Sequence, residues 1–225
     1  RLVMLDRYSQ KDIDLKTLSI GDLVLTVVKE DPVYPSRGIG YIKEIYDNYC
    51  IIELEEDSRG SLTSLEEIET GLIKRDFGLI DKPVEIYWEQ IALRVGNALA
   101  EVEKEDLRTK YGDIFAKELA DLNIIPAGRV LYGAGSGTQV TYFNCFVMPY
   151  IHDSRGGIAT HRQEVMEIMS RGGGVGTNGS TLRPKNALAK GVGGKSSGAV
   201  SWLNDIANLT HLVEQGGSRR GAQMI

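Results

Sequence analysis

The 225-residue sequence predicts an α/β protein built in three parts. Three observations lead there. Residues 1–78 hold short runs of β-branched and aromatic residues separated by tight-turn signals. Residues 79–125 repeat apolar side chains at helical spacing. Residues 126–225 set glycine-rich loops between two apolar helical stretches and a short apolar run around Cys145.

In the first part, residues 23–28 follow the turn-like Gly21-Asp22, and residues 40–45 and 49–54 flank Asp47-Asn48, a hairpin signal. Several short strands with tight turns suggest a small SH3-like β-barrel appended to the main body. Such a module packs or binds a partner, and nothing in its residues names a ligand. Cys50 lies inside a strand, where a cysteine ordinarily serves as a small core hydrophobe.

The second part reads as two packing helices without chemistry. Over 84–104, Trp88, Ile91, Val95, Leu99 and Val102 recur at spacings of three and four. Over 106–122, Leu107, Tyr111, Ile114, Phe115, Leu119 and Leu122 form a second stripe, and Glu105-Asp106 suits a helix N-terminus.

After Pro126 the texture changes. Twelve of the 26 glycines fall between 172 and 221, around helices expected near 158–169 and 200–213. Glycine at element ends means that backbone approaches something closely or adopts positive φ. A flexible Gly/Ser linker would not alternate with apolar helices.

Composition narrows the class. The chain is 42% hydrophobic and 25% charged, as soluble globular domains are. No apolar run reaches about 18 residues, so no membrane span is expected. No signal peptide is seen at Arg1-Leu2-Val3-Met4, and the absent initiator Met hints at a trimmed start. Two cysteines make no disulfide framework and fit a reducing, cytoplasmic setting. His152, His161 and His211 are scattered and no cysteine pair has zinc-ligand spacing, so no structural metal is expected.

The net charge of −5 conceals a polarity: nine acidic against two basic residues over 41–70, and nine Lys or Arg against four Asp or Glu over 155–220. The acidic front argues against general nucleic-acid binding. The basic back half could hold phosphates, or simply present solvated faces.

Four segments carry the chemistry, in order. They are Ile125-Pro126-Ala127-Gly128-Arg129-Val130-Leu131, leading to Gly133-Ala134-Gly135; Asn144-Cys145-Phe146-Val147-Met148-Pro149, followed by Asp153-Ser154; Ser170-Arg171-Gly172-Gly173-Gly174-Val175-Gly176-Thr177-Asn178, continuing to Arg183; and Gln215-Gly216-Gly217-Ser218-Arg219-Arg220-Gly221-Ala222. From the residues alone, Cys145 sits in an apolar run, 143–148, that reads as a buried strand, where a lone cysteine is by default a small hydrophobe. Gly216-Gly217 suits the C-cap of the second helix, with Arg219 and Arg220 either solvated or placed for phosphate and base contacts. Asp153 could N-cap the helix near Ile158. Residues 193–198 only superficially suggest a phosphate-binding P-loop, since the Gly-x-x-x-x-Gly-Lys frame after a strand is missing.

The order and spacing of these segments resemble the entry into the catalytic barrel of ribonucleotide reductases over roughly residues 80–225. The run Gly-Gly-Ser-Arg-Arg-Gly-Ala, with Phe146 after the cysteine, is closest to adenosylcobalamin-dependent (class II) members. The resemblance implies the first part of a ten-stranded α/β barrel over 126–225, preceded by helices and the β-rich appendage.

It further implies that Cys145 is one of a redox pair that delivers a proton and electrons to the substrate ribose. Ala127, Gly128, Asn144 and Arg219 would contact substrate, with Ala127 standing where many relatives carry a hydroxyl residue. Asp153, Ser154, Arg183, Gln215, Arg219 and Arg220 would serve a deoxynucleoside triphosphate (dNTP) effector. Lys185 and Lys190 are weaker candidates, and residues 192–198 resemble the family's flexible effector loop.

The family's radical-bearing cysteine, its second redox cysteine and most of its barrel have no counterpart in these residues. The expectation is therefore an incomplete chain, inactive alone, that assembles with a C-terminal reductase polypeptide, adenosylcobalamin, a ribonucleotide substrate and a dNTP effector, as a homodimer. A non-catalytic dNTP-binding module and a fragment of a class I large subunit are the alternatives.

Overall fold

The computed structural model describes residues 1–15, 17–31, 35–189, 191, 193–215, 219–220 and 223–224; of 214, 215, 219, 220 and 223 it describes the backbone alone. The chain divides into two compact units, Arg1–Gly128 and Arg129–Ile225.

The first unit begins with helix α1 (Leu2–Arg7) and strands β1 (Lys11–Asp12), β2 (Leu23–Lys29), β3 (Ser36–Ile45) and β4 (Tyr49–Leu54). A 3-10 turn (Glu56–Ser61), helix α2 (Leu65–Thr70), β5 (Leu72–Asp76) and β6 (Ile80–Pro83) follow. The strands form one antiparallel sheet in the order β1-β6-β2-β3-β4-β5. The hairpin expected at Asp47-Asn48 is present, with Ile45 opposite Cys50 and the Tyr46 amide donating to the Tyr49 carbonyl at 2.9 Å.

Val24, Ile42, Cys50, Ile52, Leu54 and Ile73 make the core of this sheet. Cys50 is there as expected, and burial pushes its thiol up to about 11. The SH3-like barrel is not borne out. Among the described residues no ladder joins β5 to β1, and the sheet stays open. Its far end is tied back by a side chain instead: Arg75 donates from Nε to the Val27 carbonyl at 2.7 Å and from Nη2 to the Val28 carbonyl at 3.0 Å. Register shifts at Val27/Lys29 and Ile42/Glu44 supply the local twist that coils the strands.

Helices α3 (Trp88–Ala100) and α4 (Glu105–Ala120) complete this unit. The buried face of α3 is Ile91, Ala92, Val95, Gly96 and Ala100. Leu99 is partly exposed, and Val102 lies beyond the helix in solvent, so the expected apolar stripe is corrected there. The reason is close approach. A β-carbon on Gly96 would stand 2.5 Å from the Ala116 backbone nitrogen, so the helices cross through small residues rather than through leucines. On α4, Leu119 is buried while Ile114 is exposed, and Leu122, past the end of the helix, is exposed as well. Trp88 Nε1 donates to the Leu119 carbonyl at 2.9 Å, tying the start of one helix to the end of the other. Arg94 and Glu85, at 2.7 Å and nearly buried, join α3 to the segment after β6.

The second unit contains α5 (Gly128–Gly133), β7 (Cys145–Val147), α6 (Arg155–Ser170), β8 (Gly174–Gly176), β9 (Leu188–Ala189), β10 (Gly194–Lys195) and α7 (Ala199–Leu212). Short strands β11 (Glu214–Gln215), β12 (Arg219–Arg220) and β13 (Gln223–Met224) end it. Strands β7, β8 and β13 form a parallel sheet in the order β13-β8-β7. Each parallel pair is bridged by a helix, as parallel pairing demands. Val165 and Met169 of α6, Ile206 and Leu209 of α7, and Val175 of β8 share one core with Met148, Ile151 and Leu182. Among the described residues this sheet has three strands and closes into no barrel.

Two boundaries differ from expectation. Helix α6 starts at Arg155, because Ser154 caps it: its Oγ accepts from the Gly157 amide at 3.0 Å. Helix α7 ends at Leu212, before Gly216-Gly217, and its last residue passes to extended Val213. The glycine C-cap is thus corrected, and Gly216, Gly217, Ser218, Gly221 and Ala222 lie outside the described residues. No helix among the described residues is long and apolar enough to cross a membrane.

Candidate functional site

A concavity of about 720 Å³ in the second unit opens at the N-terminal end of α6. Asp153, Ser154 and Arg155 form one wall, Arg183 and the β9–β10 hairpin the other, and Trp202 of α7 joins them. Three residues singled out in the sequence thus converge. Arg183 is the hub. It donates from Nε to the Asp153 carboxylate at 2.7 Å, from Nη2 to the Asp153 carbonyl at 3.1 Å and from Nη1 to the Leu188 carbonyl at 3.2 Å. The cap of α6 is Ser154, not Asp153, whose carboxylate faces Arg183 across 30 residues of sequence.

The segment expected to be a flexible effector loop contains one strand of a β-hairpin, with Gly194 opposite Ala189 and Lys195 opposite Leu188. Lys195, Ser196 and Ser197 line the cavity. Lys185 is exposed, and Lys190 lies outside the described residues. Sequence reasoning missed Arg155, Lys195 and Trp202 as lining residues. Only the position of Arg155 just after the capping serine hinted at its place.

A helix N-terminus, Arg155 and Lys195, with Arg183 paired to Asp153, give this cavity a net positive rim, and indole and aliphatic groups give it an apolar floor. That combination suits an anionic ligand carrying a flat ring. A second cavity of about 550 Å³ lies along α6 and α7. Ile158, Met166, Trp202 and Leu209 line it, with Arg162 and Asp205 paired at 3.3 Å.

Cys145 corrects the expectation of a buried strand. It does lie in a strand, β7, paired with Gly174 of β8, but Cys145 is exposed and Val147 is 95% exposed. Alternation explains it. Phe146 points to the helical side, where a β-carbon on Gly173 would meet both Phe146 and Ile168 of α6. Cys145 and Val147 therefore share the opposite face, which no described element covers.

Asn144, just before the cysteine, is exposed; its carbonyl accepts from the Gly174 amide at 2.8 Å and its Oδ1 from Arg129 Nε at 3.1 Å. Ala127 is exposed and Gly128 begins α5, at the end of the first unit. The backbones of Gln215 and Arg219 pair in β11–β12, as do Glu214 and Arg220, but their side chains lie outside the described residues. His161 is a buried polar group that the sequence did not flag as special. Its Nε2 lies 3.2 Å from Thr177 Oγ1, and burial holds its pKa below the ordinary value. Among the described residues no group of three His, Cys, Asp or Glu could hold a metal ion.

Residues 143–225 match the family model described as the ribonucleotide reductase barrel domain. A vitamin B12-dependent ribonucleoside-diphosphate reductase from Thermoplasma acidophilum is 34% identical over 51% of this chain and 15% of its own length. The ribonucleoside-diphosphate reductase subunit alpha of Chlamydia muridarum is 25% identical over 89% of this chain and 21% of its own. The large subunit of the Monkeypox virus ribonucleoside-diphosphate reductase is 30% identical over 87% of this chain and 24% of its own. The chain thus spans less than a quarter of the length of each of these relatives. Residues 143–225 of the second unit are thus similar to part of a ribonucleotide reductase barrel domain.

Proposed function

We propose that this chain is part of a cytoplasmic ribonucleotide reductase that converts ribonucleotides to deoxyribonucleotides by thiyl-radical chemistry. In this reading Cys145 is one member of the reducing pair, and the Asp153–Arg183 cavity is the dNTP effector site. One observation carries it: a parallel strand within the barrel-domain match presents the Cys145 thiol on an uncovered face, opposite the helices. In a closed parallel barrel with helices outside, that face is the interior.

The redox balance is simple. Cys145 and a second cysteine, supplied outside these residues, lose two hydrogens and form a disulfide. Their two electrons replace the C2′–O bond of the ribose by C–H, and the oxygen leaves as water. Cys50 is no substitute, since it is sealed in the core of the first unit with its thiol pushed to about 11.

The remaining assignments follow the same reading. Asn144, Gly128 and, through its backbone, Ala127 contact substrate; Arg219 contacts substrate and, with Gln215, relays the effector signal, and Arg220 serves the effector. Asp153, Ser154 and Arg183 hold the effector, and the assembled enzyme is a homodimer completed by a C-terminal reductase polypeptide. The vitamin B12-dependent relatives support adenosylcobalamin as the radical source. Neither cavity of the second unit described above is lined by Cys145, and no seat for the cofactor is assigned among the described residues. No step is derived through it. The Chlamydia and Monkeypox relatives, which align over most of this chain and are named without B12, favour a class I large subunit as the second reading.

The test is anaerobic reduction of CDP and CTP with adenosylcobalamin and dithiothreitol, by this chain alone and with its C-terminal reductase polypeptide, and again with Cys145→Ser. Turnover with the polypeptide, lost in the serine variant, is the expected result. Turnover that instead needs a separate radical-generating subunit gives the class I reading. Binding of dNTP with no turnover in any combination leaves a non-catalytic effector-binding module.

A further inference from the structure

Arg129 is the first residue of the second unit and had no role in the sequence reading. Its Nε donates to Asn144 Oδ1 at 3.1 Å, one residue before Cys145. Its Nη1 occupies the space over Gly172: a β-carbon there would lie 2.3 Å away. Gly172 has φ +87°, a left-handed conformation that glycine tolerates best, and forms the turn from α6 into β8.

The two chain segments touched by this guanidinium are the ones that enter the paired strands. The Thr141 amide donates to the Arg171 carbonyl at 3.0 Å, the Gly174 amide donates to the Asn144 carbonyl at 2.8 Å, and the ladder proper begins at Cys145 and Gly174. Arg129 therefore spans the mouth of the β7–β8 pair at the point where the thiol emerges.

We propose that Arg129 is a positioning residue for Cys145. It fixes the Asn144 side chain against the Gly172 turn, so that the strand entrance holds the thiol in one place, and it sets a positive charge beside the site where an anionic nucleotide is to react. The inference rests on the reading of Cys145 as a reducing thiol, but its geometry and its test do not need turnover. Gly172 is the counterpart: its φ of +87° favours glycine, and the guanidinium lies where a β-carbon would enter. The planar Arg group does what lysine cannot, since only guanidinium delivers an Nε–H to Asn144 while Nη1 covers the turn.

The experiment compares wild type, Arg129→Gln, Arg129→Lys and Gly172→Ala in the full chain. Two quantities are read: amide exchange of residues 143–148, and the ratio of Cys145 alkylation rates with iodoacetate and with neutral iodoacetamide. Exchange over 143–148 rises about tenfold in all three variants, the size expected for losing one charge-assisted hydrogen bond. The anionic-to-neutral ratio falls about two- to threefold in Arg129→Gln, the Coulombic effect of one unit charge across about 8 Å of water, and is retained in Arg129→Lys. Wild-type exchange and ratio in every variant overturn the proposal. So does faster exchange spread evenly through α6 and α7, which makes Arg129 a general packing residue. A reductase assay that fails while both local readouts move as stated counts against the functional reading and leaves the positioning role intact.

Discussion

Arg183→Gln is the perturbation that most directly probes the cavity. It removes a charge-assisted bond to the Asp153 carboxylate and two bonds to the carbonyls of Asp153 and Leu188. The paired side chains are about one-third exposed, at 36% and 34%. A charge-assisted bond contributes about 1.5–3 kcal/mol when shielded and an exposed pair about 0.2–1, so this one is worth about 1 kcal/mol. The two carbonyl bonds add about 0.5 kcal/mol each. The sum, about 2 kcal/mol, is local to the latch between the start of α6 and β9. Exchange of the amides over 187–196 accelerates about 30-fold as a result.

Binding separates two roles of Asp153. In the free protein its carboxylate neutralises Arg183, so an incoming phosphate must displace it. Asp153→Asn therefore tightens binding of inorganic tripolyphosphate, whereas a dNTP, whose sugar the carboxylate would recognise, binds about tenfold more weakly. Calorimetric titration of both ligands into wild type, the two single variants and the double variant measures this, with a coupling of about 1 kcal/mol between the positions. Equal tightening of both ligands in Asp153→Asn refutes the sugar contact. Unchanged hairpin exchange in Arg183→Gln refutes the latch.

Three further outcomes are expected. His161 is held neutral by burial, so its folded pKa lies below its ordinary value of 6.5; below that pH the unfolded chain binds a proton that the folded one refuses. Stability of the second unit thus falls as pH drops through 6.5 and levels off below the folded pKa; thermal unfolding between pH 7.5 and 5 shows a slope that His161→Gln flattens. Cys50→Ser places a hydroxyl in the sheet core and destabilises the first unit by about 1–3 kcal/mol, whereas Cys145→Ser, at an exposed site, changes stability by less than about 0.5 kcal/mol. Denaturant titration of each variant decides between them. Arg94→Met leaves the Glu85 carboxylate without its bidentate partner at a nearly buried site and costs about 3 kcal/mol, more than any exposed ion pair of the first unit, by the same titration.

What the sequence revealed, and what it concealed, divides along physical lines. Local signals were legible. The Asp47-Asn48 hairpin depends on a turn between two apolar runs, and both long helices of the second unit follow a 3.6-residue pattern; each is present in the structure. Choices settled by tertiary approach were not. Apolar periodicity puts Leu99 in the packed face of α3, yet Gly96 and Ala100 win because the neighbouring backbone comes within reach of only small residues. The Asp153–Arg183 pair joins positions 30 residues apart, and nothing local announces that the carboxylate turns away from the helix that Ser154 caps.

Cys145 is the instructive case, because the apolar run around it was identified correctly and its burial was not. A run such as Phe143 to Met148 signals a strand shielded on both faces, as strands of parallel sheets ordinarily are. Here the Phe146 side meets α6 while the Cys145–Val147 side meets nothing among the described residues. A strand with Val147 95% exposed is composed for two covers and shown with one. In the proposed reading that face is the interior of a reductase barrel, and the Cys145 thiol lies on it. The mismatch between composition and exposure thus falls on the same face that the functional reading assigns to the substrate.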